Sequence, residues 1–399
     1  MANALITPTE VTAETLSILR NNLFMGRYCW RDADKVIKAR KAGTAVTIRL
    51  PEQAVIRCGK PLDVDDVAPP TATATLDTQF GCDFNFDSDE LAHSVDRFRE
   101  RHLQPRAVQI ANEIERLGFL EYVNVWGWVG TAATNPNSYA TSVQLVHQYA
   151  IEAGWPRDGR WVLALHPTAF AGVMGGQTAL GFQHAIAAKA LESGELNKLG
   201  GFLVEESANV AVHLVGTYAG TTVTEAAGAD GDATTDTDGW SSGASNLTKG
   251  DVFTIADVFM VNPLTRASTG RLQPFAVTVA ISDTAGDMDI QHAPTIRNTG
   301  AYQTVNSVPA DGKAIVVKTG LTGASNEQNL AWHPEAFALT MAELPIDTEV
   351  VWGDTMTVDG YSIRVIKGYD INSDSWPCRL DVLIGWDTIR AQLACRLSG

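Results

Sequence analysis

The chain has 399 residues, 45% of them hydrophobic, which is enough for two or three domains with cores of their own. Its formal net charge of −16 argues against a nucleic-acid binder, because such proteins need a basic surface to displace counterions. Charged residues make up 19% of the chain, below the roughly 25% usual in soluble domains, which hints that partners cover part of the surface.

The cysteines and the N-terminus indicate the compartment. No CxxC pair and no zinc-type spacing to histidine occurs, so we expect reduced thiols in a cytosolic product. The cysteines are Cys29, Cys58, Cys82, Cys378 and Cys395. The sequence MANALITPTEV lacks the basic and apolar regions of a signal peptide, and no run of 18 apolar residues predicts a membrane span.

A helix is predicted near the N-terminus. Thr7-Pro8-Thr9-Glu10 is a capping box with proline at the first helical position, and the helix should run to about Asn22. A basic stretch from Arg27 to Lys41 follows, and it also contains aspartates. Two interpretations stay open for it: a solvated arm with internal charge pairs, or an electrostatic contact with an acidic partner.

Beyond Thr44 the hydrophobic period changes to two. Val46, Ile48 and Leu50 alternate with polar residues, and residues 71–76 read TATATL, so both runs predict strands. Neither face of the second run is strongly apolar. Because a two-stranded ribbon is not stable alone in water, we expect it to lie on another surface.

The longest helical pattern covers residues 87–126. Pro105 interrupts it, which predicts one helix ending near Leu103 and another running from Pro105 to about Val123. Apolar residues recur along the second segment at helical spacing, as in an amphipathic core helix.

Helix and strand then alternate from residue 138 to 216. SVQLVHQYAIEAG predicts a helix, RWVLALHP a buried strand and TAFAGVM the start of a helix, and a strand from Gly200 is expected to continue into ANVAVHLVG. Residues 217–323 are rich in Thr, Ser, Gly, Ala, Asp and Val, with short strand-like runs. They are typical of a separate all-β unit of about 100 residues.

The α/β pattern is expected to resume after this unit. LAWHPEAFALTMAELP is interpreted as a strand, His-Pro and a helix start, like LALHPTAF at 163–170. The Asp-Gly pair within Val358–Tyr361 predicts a hairpin with a type I′ turn, and RLDVLIGW predicts a late strand.

Signatures of catalysis are absent from the sequence. GxSxG, HExxH, GxxxxGK[ST] and GxGxxG do not occur. His166 and His333, each preceding proline, are expected to be hydrogen-bonded packing residues, and Glu205-Glu206 is expected in a loop without an acid/base partner. We therefore assign no catalytic, cofactor-binding or metal-binding residue.

The stretch DGDATTDTDG at 230–239 invites comparison with a calcium loop. If its last glycine were the sixth residue of an EF-hand, Thr234 would be at position 1 and Ser245 at position 12, so both essential carboxylates would be missing. We expect a mobile acidic loop tip. The alternative is a weak calcium site that uses Asp236 and Asp238.

The order of these elements resembles the major capsid protein of tailed bacteriophages, with its HK-ninety-seven-like fold. The closest likeness is to coat proteins of short-tailed phages that carry an inserted β domain. The stretches behind the resemblance are DELAHSVDRFRERHLQPRAVQIANEIERL, GGFLVEESANVAV at 200–212, KGDVFTIADVFMVNP at 249–263 and NLAWHPEAFALTMAELP at 329–345. The resemblance covers nearly the whole chain, in order.

The resemblance implies an α+β fold, in which the ribbon reaches onto a neighbouring subunit and the insertion lies on the outer surface. The expected parts are an N-terminal arm (1–43), an extended β-ribbon loop (44–86), a spine helix with the peripheral domain (87–128), an axial domain (129–216), an inserted β-barrel-like accessory domain (217–323) and returning axial and peripheral strands (324–399).

The implied function is non-enzymatic self-assembly. Hexamers and pentamers of the chain would form an icosahedral shell around a double-stranded DNA genome, without sequence-specific DNA binding, cofactor or membrane. A scaffolding protein and a portal are the expected partners, and assembly would take place in the host bacterial cytoplasm. Two alternatives stay open: an acidic hydrolase with a carbohydrate-binding β domain, which requires a deep pocket with paired carboxylates, and a non-viral encapsulating shell protein.

Overall fold

The computed structural model describes residues 8–31, 45–54, 69–87, 103–132, 134–136, 142–179, 198–346 and 352–398. The chain folds into two compact units. The first comprises 1–49, 71–118 and 337–389, and the second comprises 50–70, 119–336 and 390–399.

Four helices and 23 strands are described, besides short 3-10 turns. In chain order they are α1 (Pro8–Asn22), β1 (Ala45–Arg49), β2 (Thr71–Thr75), β3 (Thr78–Asp87), α2 (Gln104–Leu120), β4 (Trp128–Val129), α3 (Gln144–Glu152), β5 (Val162–Leu165), α4 (Pro167–Ala179), β6 (Lys198–Leu199), β7 (Phe202–Glu206), β8 (Val212–Leu214), β9 (Gly220–Thr224), β10 (Thr234–Trp240), β11 (Asn246–Leu247), β12 (Val252–Val261), β13 (Ser268–Val277), β14 (Ile281–Ser282), β15 (Met288–Ala293), β16 (Ile315–Val317), β17 (Ser325–Glu327), β18 (Asn329–Trp332), β19 (Phe337–Ala342), β20 (Trp352–Val358), β21 (Tyr361–Lys367), β22 (Ser375–Thr388) and β23 (Ala394–Leu397).

The first unit is organised around the long strand β22. One side of β22 pairs with β3 along ten residue pairs, and the other side pairs first with β21 and then with β19. The β20–β21 hairpin turns at Asp359 and Gly360, whose φ angles of 53° and 79° are both positive, as a type I′ turn requires. The predicted hairpin is confirmed.

The N-terminal segment belongs to the core of this first unit. Helix α1 begins at Pro8 and ends at Asn22, as predicted. Its Leu16 and Leu19, with Leu23 beyond its end, are at most 2% exposed, and they share one apolar cluster with α2 and the sheet. Residues 8–31 are therefore an integral layer of the unit. The basic stretch that follows lies, from residue 32 to 44, outside the described residues.

Strands β1 and β2 form the predicted ribbon. They pair antiparallel from Ala45 with Thr75 to Arg49 with Thr71, and this two-stranded sheet includes no third described strand. Val46 and Ala74 are buried where the ribbon meets the body. Strand β3, two residues after β2, already belongs to the sheet around β22.

The second unit contains a six-stranded mixed sheet, in the order β4-β23-β18-β5-β7-β6. Strand β5 is fully buried, and helices α3 and α4 precede and follow it, as predicted. Helix α2, most of which belongs to the first unit, matches its predicted bounds to within three residues. The predicted helix ending near Leu103 falls mostly on residues 88–102, outside the described residues.

Two predictions in the α/β segments are wrong. A turn and then strand β19 follow His333-Pro334, where a helix start was expected. Ala, Leu and Met favour helix, but this short apolar run is almost wholly buried along β22, and such runs are ambiguous from periodicity alone. The strand expected to run from Gly200 into ANVAVHLVG is divided into β7 and β8, because Ser207 accepts the amide of Val210 in a turn.

The insertion is built from strands. Six of them form a sheet in the order β16-β12-β13-β15-β10-β9. Its two ends meet, because the amide of Thr224 donates to the carbonyl of Lys313 at 2.9 Å, and Val223 is bridged to Ala314. The sheet is thus closed into a barrel, whose interior holds Phe253, Phe275 and other fully buried apolar residues.

Candidate functional site

The two histidines singled out in the sequence lie in local polar contacts. His166 Nδ1 is 2.8 Å from the Thr168 hydroxyl and 3.6 Å from Glu327. Since the same nitrogen faces both partners, this group does not form a relay in which a carboxylate orients a histidine against a nucleophile. His333, whose side chain is fully buried, contacts Asp158 through Nε2 at 3.0 Å.

Asp158 contacts both His333 and Arg160 and lies at the centre of this polar group. Burial raises its pKa, but hydrogen bonds from His333 and Arg160 outweigh this effect and hold the pKa well below its usual range. Arg390 donates to Glu335 at 2.6 Å in the same part of the second unit. These charges are satisfied by one another, as in a structural ion-pair network.

The acidic stretch at 230–239 is largely a strand, and the expectation of a mobile loop tip is wrong. Residues 234–240 form β10, which pairs with β15 and with β9. Thr235 and Thr237 are buried while Asp236 and Asp238 point to solvent, so the alternation TTDTDG is that of a half-buried strand. The period-two signal was present in the sequence, but the similarity to a calcium loop obscured it.

Asp236 and Asp238 belong to an exposed acidic surface. Glu225 and Asp287 have raised pKa values there, Glu225 chiefly through the charge of Asp287 and Asp287 chiefly through desolvation, with Asp238 and Asp289 adding to both. Within the described residues, no group of three or more acidic, histidine or cysteine side chains has the geometry to hold a metal ion.

Glu205 and Glu206 end strand β7 and are exposed, where the sequence suggested a loop. Two cavities of about 140 and 310 Å³ lie in the second unit, and no aspartate or glutamate lines either of them among the described residues. The pocket with paired carboxylates that a hydrolase requires is not found at these places.

The strongest polar constellation lies at the base of the insertion. His213 on β8 is 3% exposed, and its Nε2 lies 2.8 Å from Asp251 Oδ1 while its Nδ1 lies 2.8 Å from the Tyr122 hydroxyl. Because a carboxylate can only accept, Nε2 donates to Asp251, and Nδ1 is left to pair with the Tyr122 hydroxyl. Each polar atom of this histidine has a partner.

Asp251 joins the stem of the insertion to its first long strand. Its Oδ2 accepts the amides of Gly216 at 3.1 Å and Thr248 at 2.8 Å. Burial raises the pKa of Asp251, but the hydrogen bonds from His213, Thr248 and Gly216 outweigh it, and the pKa lies below its usual value. The carboxylate thus stays ionised inside the protein and ties the start of the insertion at Gly216 to the turn before β12.

Arg396 on the last strand completes this buried group. Its Nε donates to the carbonyl of Val125 and its Nη1 to the carbonyl of Gly250, while the guanidinium lies 5.5 Å above the ring of Tyr122. Burial lowers its pKa to about 10, so the side chain is charged at neutral pH. No sequence pattern marks this constellation, because its members are separated by up to 274 positions, from 122 to 396.

The other prominent surface is the ribbon. Its strands expose Ala45, Thr47 and Thr73 on one face, and each strand has an outer edge that pairs with no other described strand. Exposed edges are templates for pairing with another chain. The molecule thus combines a barrel joined to the rest of the second unit through buried polar contacts with an exposed ribbon.

Comparison with known proteins gives this architecture a class. A model of the family described as P22 coat protein, gene protein 5, matches residues 71–399. A sequence search among curated proteins finds no match. The class is that of phage coat proteins with an α+β capsid fold. The chain belongs to the P22 coat protein family: it is a tailed-phage major capsid protein, which assembles with copies of itself into the shell of the virion.

Solved capsid structures are similar at low identity. A structure of Mycobacterium phage Che8 matches 94% of this chain and 90% of that chain, with 11% identity and a TM-score of 0.48. The mature capsid of bacteriophage PhiM1 matches 89% of this chain and 81% of that chain, with 12% identity and a TM-score of 0.44. The I-domain of the CUS-3 coat protein matches 25% of this chain and 96% of that chain, with 26% identity and a TM-score of 0.20.

No helix among the described residues is long and apolar enough to cross a membrane. Cys29, Cys82, Cys378 and Cys395 are free thiols, and Cys58 lies outside the described residues.

Proposed function

We propose that the ribbon within residues 44–86 is the arm by which one copy of the chain holds its neighbour in hexamers and pentamers of an icosahedral shell. The observation that carries this proposal is a ribbon with two exposed edges and buried residues only near its base. Pairing with another chain would supply the contacts that such a ribbon lacks in water. The domain limits 1–43, 87–128, 129–216, 217–323 and 324–399, with the barrel outward, belong to the same proposal.

The net charge of the chain bears on the proposed cargo of the shell, and its membership of a coat protein family bears on the proposed assembly partners. A chain with a net charge of −16 does not adsorb DNA nonspecifically, so a genome can be packed against it without sticking to it. Double-stranded DNA is the proposed cargo, a scaffolding protein and a portal are the proposed partners, and the host cytoplasm is the proposed place of assembly. The role is structural throughout, without catalysis.

Negative-stain microscopy of the recombinant protein, with and without its scaffolding partner, tests this function. We expect closed shells from the full chain. A variant in which a short Gly-Ser linker replaces residues 47–73, which removes the ribbon beyond the buried pair of Val46 and Ala74, should keep the melting midpoint but remain as unassembled subunits. A full chain that stays monomeric at high concentration, or shells of normal size from the variant without its ribbon, would contradict the proposal.

A further inference from the structure

The base of the ribbon is held by one side chain of the sheet. The amide of Thr75 donates to Asp387 Oδ2 at 2.6 Å, and its hydroxyl lies 3.2 Å from Oδ1 and 3.3 Å from Oδ2. Asp387 lies near the end of β22, 312 positions further along the chain. A single carboxylate therefore binds both polar hydrogens of Thr75, the last residue of the ribbon.

Two positions before this carboxylate, β22 has a glycine where the ribbon crosses it. A Cβ on Gly385 would overlap the carbonyl oxygen of Thr75 and lie 2.7 Å from its carbonyl carbon. Both atoms are backbone, so no side-chain rotation could make room. Ala74 is 0% exposed and Leu76 is 7% exposed, so the chain is packed on either side of the crossing.

The environment of Asp387 makes its charge unfavourable. Partial burial raises its pKa, the neighbouring Asp77 raises it further, and the hydrogen bonds from Thr75 only partly offset these effects. Folding stability alone does not require an acid here, because a neutral side chain would avoid the desolvation of the charge. An ionised carboxylate has two equivalent acceptor oxygens, so Asp387 can accept from both the amide and the hydroxyl of Thr75. A neutral amide side chain has only one acceptor oxygen.

We infer that Gly385 and Asp387 are positioning residues, which fix the direction in which the ribbon leaves the body and thereby the geometry of contact between copies. This inference rests on the proposed role of the ribbon as an intersubunit arm. The ribbon's paired strands are about 16 Å long, so a tilt of roughly 10° at the base moves the far end by about 3 Å. Binding surfaces need placement to within about 0.5 Å, so an error of that size would misdirect the contact.

Asp387→Asn is the decisive variant, with Asp77→Asn as its matched control. Asparagine keeps the size of the side chain but only one acceptor oxygen and no charge. Asp77 is exposed next to the ribbon, and it accepts only from the hydroxyl of Thr78 among the described residues. Hydrogen exchange at the amide of Thr75 should accelerate about tenfold in Asp387→Asn and stay unchanged in the control, since bonds to charged acceptors are the stronger ones.

The shells of these variants then test the function. We expect Asp387→Asn to give about tenfold fewer closed shells than the control, with open or irregular particles instead, at an unchanged melting midpoint. Gly385→Ala should give the same defect with a lower melting midpoint, because its Cβ displaces the backbone of Thr75. Closed shells of normal yield and diameter from Asp387→Asn would overturn the inference. This conclusion would hold even if Gly385→Ala did not fold.

The variant without residues 47–73 distinguishes a failure of the arm from a failure of its positioning. If it forms normal shells, the ribbon is not an arm, and the inference fails together with the proposed function. If it fails to form shells while Asp387→Asn forms normal ones, only the positioning role is wrong.

Discussion

The N-terminal segment and the ribbon are expected from the sequence to play similar roles, but they differ in how deeply the fold buries them. Both precede the long helix, both are short, and the resemblance to capsid proteins predicts that both are appendages. Residues 8–31 are nevertheless a layer of the core of the first unit, whereas the ribbon has only its base buried. The amide of Trp30 even donates to the carbonyl of Phe337, which adds the end of the segment to the edge of β19.

The difference lies in the size and spacing of the apolar residues. Helix α1 places Leu16 and Leu19 on its buried face, and each leucine covers a large apolar area. The ribbon alternates threonine with alanine in β2, so its inner face has little surface to bury. A segment packs into the core when large apolar side chains recur along it with the spacing of its helix or strand, so that they all lie on one face.

Both segments are also held by carboxylates that accept backbone amides. Glu115 on α2 is 6% exposed, and its Oε1 accepts the amides of Phe24 and Met25, the latter at 2.9 Å. Asp387 does the same for Thr75 from a half-buried position. The comparison predicts that the N-terminal contacts determine stability, whereas the contact at the ribbon determines geometry.

Truncating one apolar side chain in each segment should give the largest difference in stability between α1 and the ribbon. Leu19→Ala, at a position that is 0% exposed, should lower the free energy of unfolding by about 3 kcal/mol because it leaves a cavity. Ile48→Ala in the half-buried ribbon should lower it by less than about 1 kcal/mol. Urea unfolding of both variants measures this, and equal losses would show that the ribbon is as much a part of the core as α1.

A third carboxylate, Asp251 at the base of the insertion, also accepts backbone amides. Asp251→Asn should lower the free energy of unfolding by about 2 kcal/mol at neutral pH, because the buried bonds from His213, Gly216 and Thr248 lose their charged acceptor. The folded pKa of Asp251 lies below its usual value of 3.8, so the stabilisation is complete above that value and is lost as the pH falls through the folded pKa.

Denaturant unfolding across pH 3 to 7 therefore distinguishes Asp251 from an ordinary surface acid. The gap between wild type and Asp251→Asn should narrow on acidification below about pH 4. Asp257→Asn is the matched control, because Asp257 is exposed in the same barrel and is paired with Lys313. It should change the stability by less than about 0.5 kcal/mol at any of these pH values. A gap that stays constant down to pH 3 would contradict the assignment.

A smaller effect is expected from Glu115→Gln. The neutral amide oxygen still accepts from Phe24 and Met25, but more weakly, so we expect a loss of about 1 kcal/mol and a lower melting midpoint. Glu113→Gln, on the same helix, removes an exposed pair with Arg116 and should be nearly neutral. Equal melting midpoints for the two variants would show that the contacts of Glu115 with these amides do not stabilise the packing of the N-terminal segment.

The sequence predicted local features well. The bounds of α1, the second part of the long helix and the type I′ turn at Asp359-Gly360 all follow from caps, proline and turn chemistry, which act within a few residues. Strand β19 was mistaken for a helix because its apolar run fits either period, and only pairing along β22 decides between them.

The constellation at the base of the insertion could not be predicted in this way. Tyr122, His213 and Asp251 stand in ordinary sequence contexts, and only the fold brings them within 2.8 Å of one another in a chain of contacts. The same is true of Thr75 and Asp387. Local patterns carry no information about partners hundreds of residues away.

The closure of the insertion barrel matters most once many copies are fixed side by side. In a shell every barrel has the same neighbours for the lifetime of the particle, at an effective concentration that no dilution lowers. An unpaired strand edge on a barrel could then form backbone hydrogen bonds with the same edge of a neighbouring barrel. The bond from Thr224 to the carbonyl of Lys313 closes that seam, so the barrels can be crowded together without growing into a continuous sheet.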